Sequence, residues 1–293
     1  MSAAGPREPG TTDVGRLVVR CPDRPGIVAV LSGLMAEVGA NIIDSQQHSS
    51  DPSGGTFTLR LEFFLADLAG RQAGLEQRLA ALAGEWGMVW RLTQAAHRPT
   101  LAVFVSRTDH VLQELIYRVR AGDLRAEIAC IVSNHPDLEP VARAAGIAFH
   151  HVPVTPETKD QAEAEALRLI GDVDLVVLAR YMQIVSADFC SRFPERLINI
   201  HHSFLPAFVG ANPYQAAHDR GVKLIGATAH YVTSDLDEGP IIEQDVRRVD
   251  HDFTADQLVA AGRDVESHVL SRAVRWHSET RIMLNGSKTV VFR

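Results

Sequence analysis

The chain has 293 residues, enough for two domains, because single hydrophobic cores stop growing at about 250 residues. Apolar residues make up 46% and charged residues 22%, a composition typical of a globular protein and unlike that of a disordered or fibrous one. The formal net charge of −7 argues against a nucleic-acid backbone or an anionic membrane as the main partner, and it favours a small-molecule ligand.

Cysteine usage and the N-terminus indicate a cytoplasmic chain. Cys21, Cys130 and Cys190 lie far apart, with no CxxC pair and no metal-ligand spacing, so we expect neither a disulfide framework nor a metal site. Residues 1–14 are rich in Gly, Pro and Ala and lack the apolar stretch of a signal peptide. No later segment approaches the ~20 apolar residues of a membrane helix, so no membrane association is expected.

The first predicted elements follow the order βαββαβ. Residues 16–21 have a strand pattern, 22–26 are turn residues, and 27–38 have the apolar spacing of a helix. Further on, 41–44 and 56–65 form a predicted hairpin, followed by a helix at 68–84 and a strand at 89–92. This order defines the ferredoxin-like unit. We therefore expect a first domain at 14–94, with a boundary near 95–99.

This first segment resembles an ACT domain, in which an Asp-x-x-Gly turn leads from a strand directly into a helix and an Asn begins the second strand. The matching residues are Asp23, Gly26 and Asn41. The resemblance implies an amino-acid effector at a dimer interface, so glycine or methionine and a homo-oligomer are expected, and amide N–H groups at the helix N-terminus can hold the carboxylate. The alternative is a turn that only caps its own helix.

Beyond residue 99, strands alternate with helices, which predicts a Rossmann-like, mostly parallel open sheet in a second domain at 99–293. Strands are expected at 101–106, 128–133, 149–152 and 175–179, and helices at 111–121, 138–145 and 161–170. The continuous apolar runs at 128–132 and 175–179 indicate central strands covered on both faces. Thr254 and Gln257 have the spacing of a capping box that opens a helix to about 281, and 289–292 is a last strand.

One predicted strand ends in polar side chains that suit attack on a carbonyl group. Asn199 and His201 are two residues apart, so they project from the same face of the strand at the sheet edge where ligands bind. An amide and an imidazole can together stabilise a developing oxyanion. The candidate carboxylate is Asp237, between predicted strands at 225–232 and 241–244. Strand-end histidines are often structural and Asp-Glu-Gly-Pro is common turn chemistry, so the residues alone leave this trio open.

A family resemblance supports the same trio. Asn199-Ile200-His201 with Leu205-Pro206, followed 36 positions after His201 by Asp237 in Leu-Asp-x-Gly-Pro, resembles the signature of the folate-dependent formyltransferases. The resemblance covers about 101–292 and implies that Asn199, His201 and Asp237 carry formyl transfer. It is greatest with the branch that uses water as the acceptor, through segments at 133–138, 179–184, 201–204 and 227–232, and that branch also has an ACT domain in front.

The resemblance therefore implies hydrolysis of 10-formyltetrahydrofolate to formate and tetrahydrofolate without a cofactor or metal, with formate supplied to purine synthesis and one-carbon pools balanced. Ser106-Arg107-Thr108-Asp109-His110 stand where the glycinamide ribonucleotide branch has a glycine-rich phosphate loop, and no basic RNA-binding extension follows. Both departures favour water as the acceptor. Two alternatives stay open: transfer to an amine, and an amino-acid-sensing protein with a vestigial catalytic domain.

The resemblance also implies a folate pocket. The pterin ring of the folate would lie against two segments: the one that follows the predicted strand at 175–179, and the loop before the catalytic Asp. The residues concerned are Tyr181, Met182, Gln183, Ile184, Val232, Asp235 and Leu236. Taken alone, Met182 and Ile184 fit core packing better. His230 matches a histidine of the family and is expected to support the site. His202 is expected on the opposite strand face from His201, and Glu266 in a salt-bridged structural position on the last helix.

Overall fold

The structure is a computed structural model that describes residues 11–205 and 213–293. The described chain forms two compact units, one combining the chain up to His97 with Glu279–Arg293 and the other spanning Arg98–Ser278. Residues 1–10 of the N-terminal stretch and Pro206 of the strand-end motif lie outside the described residues. No helix in the described ranges is long and apolar enough to cross a membrane.

The first unit has the predicted βαββαβ order. Its elements are β1 (Val14–Pro22), α1 (Ile27–Glu37), β2 (Asn41–Ser49), β3 (Thr56–Phe64), α2 (Leu68–Trp86) and β4 (Val89–Gln94). The strands form an antiparallel sheet in the order β2-β3-β1-β4, and both helices pack on one face of it. The ferredoxin-like ACT fold is confirmed. The second strand extends to Ser49, five residues beyond the prediction, because an edge strand tolerates the polar residues that obscured its pattern.

The last fifteen residues also pack in this first unit, which differs from the expected second domain at 99–293. The strand expected at 289–292 is β13 (Lys288–Val291), which pairs with β12 (Ile282–Asn285) in a hairpin apart from the large sheet. Met283 and Phe292 pack against Val18 of β1. Arg60 of β3, fully buried, donates hydrogen bonds to the carbonyl oxygens of Thr280 and Glu279. The hairpin thus covers the sheet face that the two helices leave open.

The second unit contains the remaining strands and helices. They are β5 (Thr100–Val105), α3 (His110–Ala121), β6 (Glu127–Ser133), α4 (Glu139–Ala145), β7 (Ala148–His151), α5 (Lys159–Ile170), β8 (Leu175–Leu178), α6 (Ala187–Arg192), β9 (Leu197–His201), α7 (Pro213–Arg220), β10 (Leu224–Tyr231), β11 (Ile241–Arg248) and α8 (Ala255–Ser278). Thr254 and Gln257 form the predicted capping box, with reciprocal backbone-to-side-chain hydrogen bonds of 2.8 and 3.3 Å. Helix α8 ends at Ser278, slightly before the expected end.

The sheet order β11-β10-β9-β8-β5-β6-β7 positions the ligand site. Strands β5 to β9 pair in parallel, and β10 and β11 continue the sheet antiparallel, so the mostly parallel open sheet is confirmed. The chain proceeds from β5 to β6 and β7 on one side and then returns to β8 on the other. Strand order therefore reverses between β5 and β8, and ligands bind in the crevice outside the carboxyl ends at such a point.

Candidate functional site

The structure brings the three predicted catalytic side chains together at the carboxyl end of β9. Asn199 and His201 occupy alternate positions on this strand, and His201 is 6% exposed. The loop between β10 and β11 carries Asp237, whose Oδ2 lies 3.2 Å from His201 Nδ1. The carboxylate and imidazole therefore form a hydrogen-bonded couple, and the Asn199 amide lies on the same strand as His201.

The Asp-Glu-Gly-Pro turn has a steric reason for its glycine. A Cβ at Gly239 would overlap the carbonyl oxygen of Tyr231, the last residue of β10. The turn is held close to that strand end by a 3.0 Å hydrogen bond from the Tyr231 amide to the Pro240 carbonyl. Asp237 itself has a φ of 57°, a left-handed conformation that a non-glycine residue adopts only when its surroundings enforce it. Close packing of Gly239 thus aims Asp237 at His201.

His230 on β10 orients the Asn199 amide. Its Nδ1 lies 2.9 Å from the Tyr231 carbonyl oxygen, which can only accept, so Nδ1 carries a proton. In the neutral ring, Nε2 then accepts from Asn199 Nδ2 at 3.3 Å. This contact fixes the amide with its NH2 group towards His230 and leaves its second hydrogen for another acceptor. The same His230 Nε2 lies 3.7 Å from Asp237 Oδ1, so the predicted supporting histidine contacts two of the three residues.

Electrostatics keep the Asp237 carboxylate ionised. Hydrogen bonding from His201 is the largest effect; it outweighs burial and holds the pKa of Asp237 well below its ordinary value. The other imidazole nitrogen, His201 Nε2, is buried and has no hydrogen-bond partner among the described residues. A buried polar atom of this kind is ordinarily satisfied, which suggests that a substrate or water occupies the space beside it.

The turn after His201 is fixed by polar contacts beneath it. Thr228 donates to the Ser203 carbonyl at 2.9 Å and accepts from the Leu205 amide at 3.0 Å. His202 does not lie on the opposite face as expected, because β9 ends at His201 and strand alternation no longer applies. Instead its ring stacks on the His201 ring, with centroids 4.9 Å apart. It therefore forms one wall of the site.

The predicted folate segment follows β8, next to β9, which carries Asn199 and His201. Tyr181 and Val232 belong to one apolar cluster, and Tyr181 contacts Phe104 edge to face at 5.3 Å. Burial, with a smaller effect of Glu163, raises the pKa of Tyr181 to about 12, so its hydroxyl stays protonated. Gln183 is half-buried and Asp235 is exposed.

Three apolar side chains of this segment are open to solvent. Met182 is 58% exposed, Ile184 60% and Leu236 59%. The expectation that Met182 and Ile184 pack in the core is therefore wrong: the chain here follows β8 as irregular backbone over the surface. Three exposed apolar side chains beside a polar site form a surface that an aromatic ligand can cover.

Of the three predicted effector residues, Asp23 and Gly26 lie close together within one chain, whereas Asn41 lies at the far end of β2. Asp23 accepts a hydrogen bond from Ser49, and Gly26, with a φ of 98°, precedes α1 without any side-chain cap, so Asp23 does not cap its own helix. Asn41 begins β2 and Ser49 ends it. At ~3.3 Å per residue, this separation places Asn41 about 25 Å along the strand from Asp23. A ligand that touches both residues needs a second copy of the chain.

One polar cluster of the second unit was only partly foreseen. Glu266 is paired, as expected, but it is 1% exposed and lies among His110, Arg180 and Tyr214 rather than on a solvated helix face. The clearest signal in the sequence was Gly262, one helical turn before Glu266, where a glycine inside a long helix indicates close packing. The partners come from three distant segments, which no local pattern reveals.

Cysteines and metal ligands contribute nothing further to this site. All three cysteines are unpaired and buried, and burial raises the pKa of each thiol. Within residues 11–205 and 213–293, no group of three or more His, Cys, Asp or Glu side chains is arranged to hold a metal ion.

Comparison with known proteins identifies the family. The formyl transferase family matches residues 100–274, and the ACT domain family matches residues 15–83. The chain is 50% identical over 285 residues to the formyltetrahydrofolate deformylase of Bacillus subtilis, covering 97% of this chain and 95% of the relative. With the deformylase of Mycobacterium tuberculosis it shares 51% identity, over 96% of this chain and 91% of the relative.

A crystal structure of a formyltetrahydrofolate deformylase from Pseudomonas syringae superimposes with a TM-score of 0.90 at 46% identity, covering 96% of this chain and 94% of that one. These matches span both units, in the order that the fold shows. The chain therefore belongs to the formyltetrahydrofolate deformylase family, with an ACT domain and a formyltransferase-type catalytic domain.

Proposed function

We propose that this chain hydrolyses 10-formyltetrahydrofolate to formate and tetrahydrofolate at the carboxyl end of β9. The observation that carries the proposal is the His201–Asp237 couple at 3.2 Å, with His201 Nε2 left without a partner among the described residues. The names of the relatives support the substrate, and the exposed apolar side chains of Met182, Ile184 and Leu236 offer a surface for its aromatic parts.

In the proposed reaction, water adds to the formyl carbon and the bond between this carbon and N10 breaks. Asn199 donates its second amide hydrogen to the developing oxyanion, and a protonated His201 donates from Nε2. The proton released from water ends on N10, which leaves as the secondary amine, and formate is the other product. Positioned water and these donors suffice for acyl transfer to water, so the scheme needs no metal or prosthetic group.

The lowered pKa of Asp237 defines its role in this scheme. A carboxylate whose pKa lies far below neutrality is a weak base, because proton-transfer efficiency falls as the pKa departs from the working pH. Its Oδ2 accepts from His201, while Oδ1 lies at 3.7 Å from His230 and has lone pairs free for a water molecule. Asp237 therefore orients the water and stabilises the imidazolium, and deprotonation of water is not its main contribution.

The test is an assay of purified protein with 10-formyltetrahydrofolate in water alone. We expect formate and tetrahydrofolate in equal amounts. His201→Ala and Asp237→Asn should each lower kcat by on the order of 10² or more. His218→Ala, at an exposed histidine of α7, is the matched control and should leave kcat unchanged.

Two other functions give different results in this assay. No release of formate in water, together with formylation of an added amine, would identify a transferase. No turnover under either condition would favour an amino-acid sensor with an inactive catalytic unit. Wild-type kcat in both His201→Ala and Asp237→Asn would contradict the assignment of the site.

Amino-acid regulation is the second part of the proposal. Glycine or methionine would bind at the Asp23–Gly26 turn of one chain and Asn41 of a second, because one chain separates these residues by about 25 Å. Such a shared site requires a homo-oligomer. Calorimetry should show binding of one of the two amino acids, and Asn41→Ala and Asp23→Ala should each remove it. A monomer by light scattering that still binds the amino acid would contradict the shared site.

The metabolic part of the proposal is supply of formate to purine synthesis and adjustment of the one-carbon pool. Three reduced, buried cysteines support a cytoplasmic location. Deleting the gene in a strain that depends on this formate should slow growth, and added formate should restore it.

A further inference from the structure

A buried carboxylate connects four segments of the catalytic unit beside the proposed active site. Glu266 of α8 accepts from the Tyr214 hydroxyl of α7 at 2.7 Å and contacts His110 Nε2 of α3 at 2.8 Å. Arg180, which follows β8, lies 3.5 Å from the same carboxylate. We call these four side chains the Glu266 cluster. Burial acts to raise the pKa of Glu266, but His110, Arg180 and Tyr214 lower it overall, so the carboxylate is an anion with two hydrogen-bond donors and an ion pair to Arg180.

A second observation shows that Tyr214 is fitted to this place. A Cβ at Gly262, one turn before Glu266 on α8, would overlap the Tyr214 hydroxyl and ring. Only glycine lets the ring lie so close to the helix, at the position where its hydroxyl reaches Glu266. Burial, followed by the charge of Glu266, raises the pKa of Tyr214, so the hydroxyl remains protonated and donates. Gly262 and Glu266 together form the packing site of the Tyr214 side chain.

The Glu266 cluster lies at the ligand-binding end of the sheet. Arg180 follows β8 and His110 begins the helix after β5, so both lie at the crevice where strand order reverses. The Tyr214 ring is 6.5 Å from the His202 ring, which stacks on His201. Arg180 also adopts a left-handed φ of 65°, enforced by its surroundings. The His202 ring therefore contacts both the Tyr214 ring of the cluster and the catalytic imidazole.

We propose that the Glu266 cluster fills the space through which an amine acceptor would have to approach the formyl carbon, so that water is the nucleophile that reaches it. This inference rests on the proposed function. A nucleophile must come within about 3–3.5 Å of the carbon, and an amine carried on a larger molecule needs a channel of its own width. The cluster resists displacement because removing any member leaves a buried charge or donor unpaired. Arg180 Nη1, unpartnered among the described residues, remains available to a water molecule.

Opening the cluster should let an amine compete with water. Transfer breaks the bond from the formyl carbon to N10, forms a bond to the amine nitrogen, and returns the amine proton to N10. The test measures the ratio of formylated amine to formate, with 10-formyltetrahydrofolate as donor and hydroxylamine or the larger glycinamide as acceptor. This ratio is independent of any change in the total rate.

Tyr214→Ala should raise the ratio at least tenfold for glycinamide, and less for hydroxylamine, which needs the smaller opening. Tyr117→Ala removes an exposed tyrosine of α3 and should leave the ratio at the wild-type value. Gly262→Ala displaces the Tyr214 ring without deleting it and should also raise the ratio of formylated amine to formate. This variant replaces Tyr214→Ala in the test if Tyr214→Ala does not fold. An unchanged ratio in a folded Tyr214→Ala or Gly262→Ala protein would overturn the inference. Failure of the unaltered chain to release formate would instead contradict the proposed function.

Discussion

Gly239→Ala should inactivate the enzyme without touching any group that takes part in the reaction. The added Cβ would overlap the Tyr231 carbonyl oxygen, a main-chain atom, so no rotamer change can relieve the clash. The turn must therefore move away from the end of β10, and Asp237, two residues earlier, moves with it. A displacement on the order of 1 Å lowers a rate by about 10²-fold, so we expect kcat to fall by at least that factor. Overpacking should also destabilise the fold by about 1–3 kcal/mol.

Formate release and thermal unfolding, measured on the same preparation, check this prediction. Gly74→Ala is the matched control, because this glycine lies in α2 with no atom within 4 Å of the new Cβ. It should leave kcat unchanged and raise stability by up to about 1 kcal/mol through helix propensity. The reasoning is refuted if Gly239→Ala retains kcat within a factor of two while its crystal structure shows Asp237 still at 3.2 Å from His201.

Three further predictions follow from other contacts. His230→Gln removes the ring that orients Asn199 and should lower kcat about tenfold with little change in KM; a change confined to KM would contradict that role. Arg60→Met should lower the urea-derived free energy of unfolding by about 3 kcal/mol, because it leaves buried partners unpaired, whereas Arg118→Met at a more exposed pair should lower it by less than about 1 kcal/mol. Equal losses would contradict the difference in burial. The folded-state pKa of Asp237 is lowered, so its stabilisation is complete above the unfolded pKa of about 3.9 and is lost as the pH falls below it. The melting temperature of the wild type should therefore fall more steeply below about pH 4 than that of Asp237→Asn, and parallel curves would argue against this coupling.

Local patterns were sufficient where the controlling contacts are close in sequence. The βαββαβ order and the alternation after residue 99 each follow from periodicity and turn residues, and the structure confirms both. The Thr254 capping box could be read from a spacing of three residues. Asn199 and His201 could be placed on one face because a strand has a period of two. The distance from Asp237 to His201 could not be predicted from the sequence, because it depends on how the Gly239 turn packs against β10.

Local sequence patterns did not predict contacts between residues that are far apart in the sequence. The final hairpin has an ordinary strand sequence, and nothing in 282–291 indicates that its partner is the open face of β1 and β3, over 200 residues earlier. Glu266 is paired as expected, but its partners could not be named from the sequence, because they come from α3, α7 and the turn after β8. Met182 and Ile184 have core-like side chains, and only the path of the chain shows them to be exposed. In each case the deciding contact is tertiary.

The C-terminal hairpin makes the catalytic unit an insertion between two parts of the ACT unit. Because β12 and β13 complete the sheet face of β1 and β3, this unit cannot finish folding until residues 279–293 have left the ribosome. The inserted unit, Arg98–Ser278, has its own sheet and can fold first. A nascent chain would thus complete the formyltransferase-type unit before the ACT unit. Removal of the final fifteen residues should accordingly expose Arg60 and weaken the first unit, while the second retains its fold.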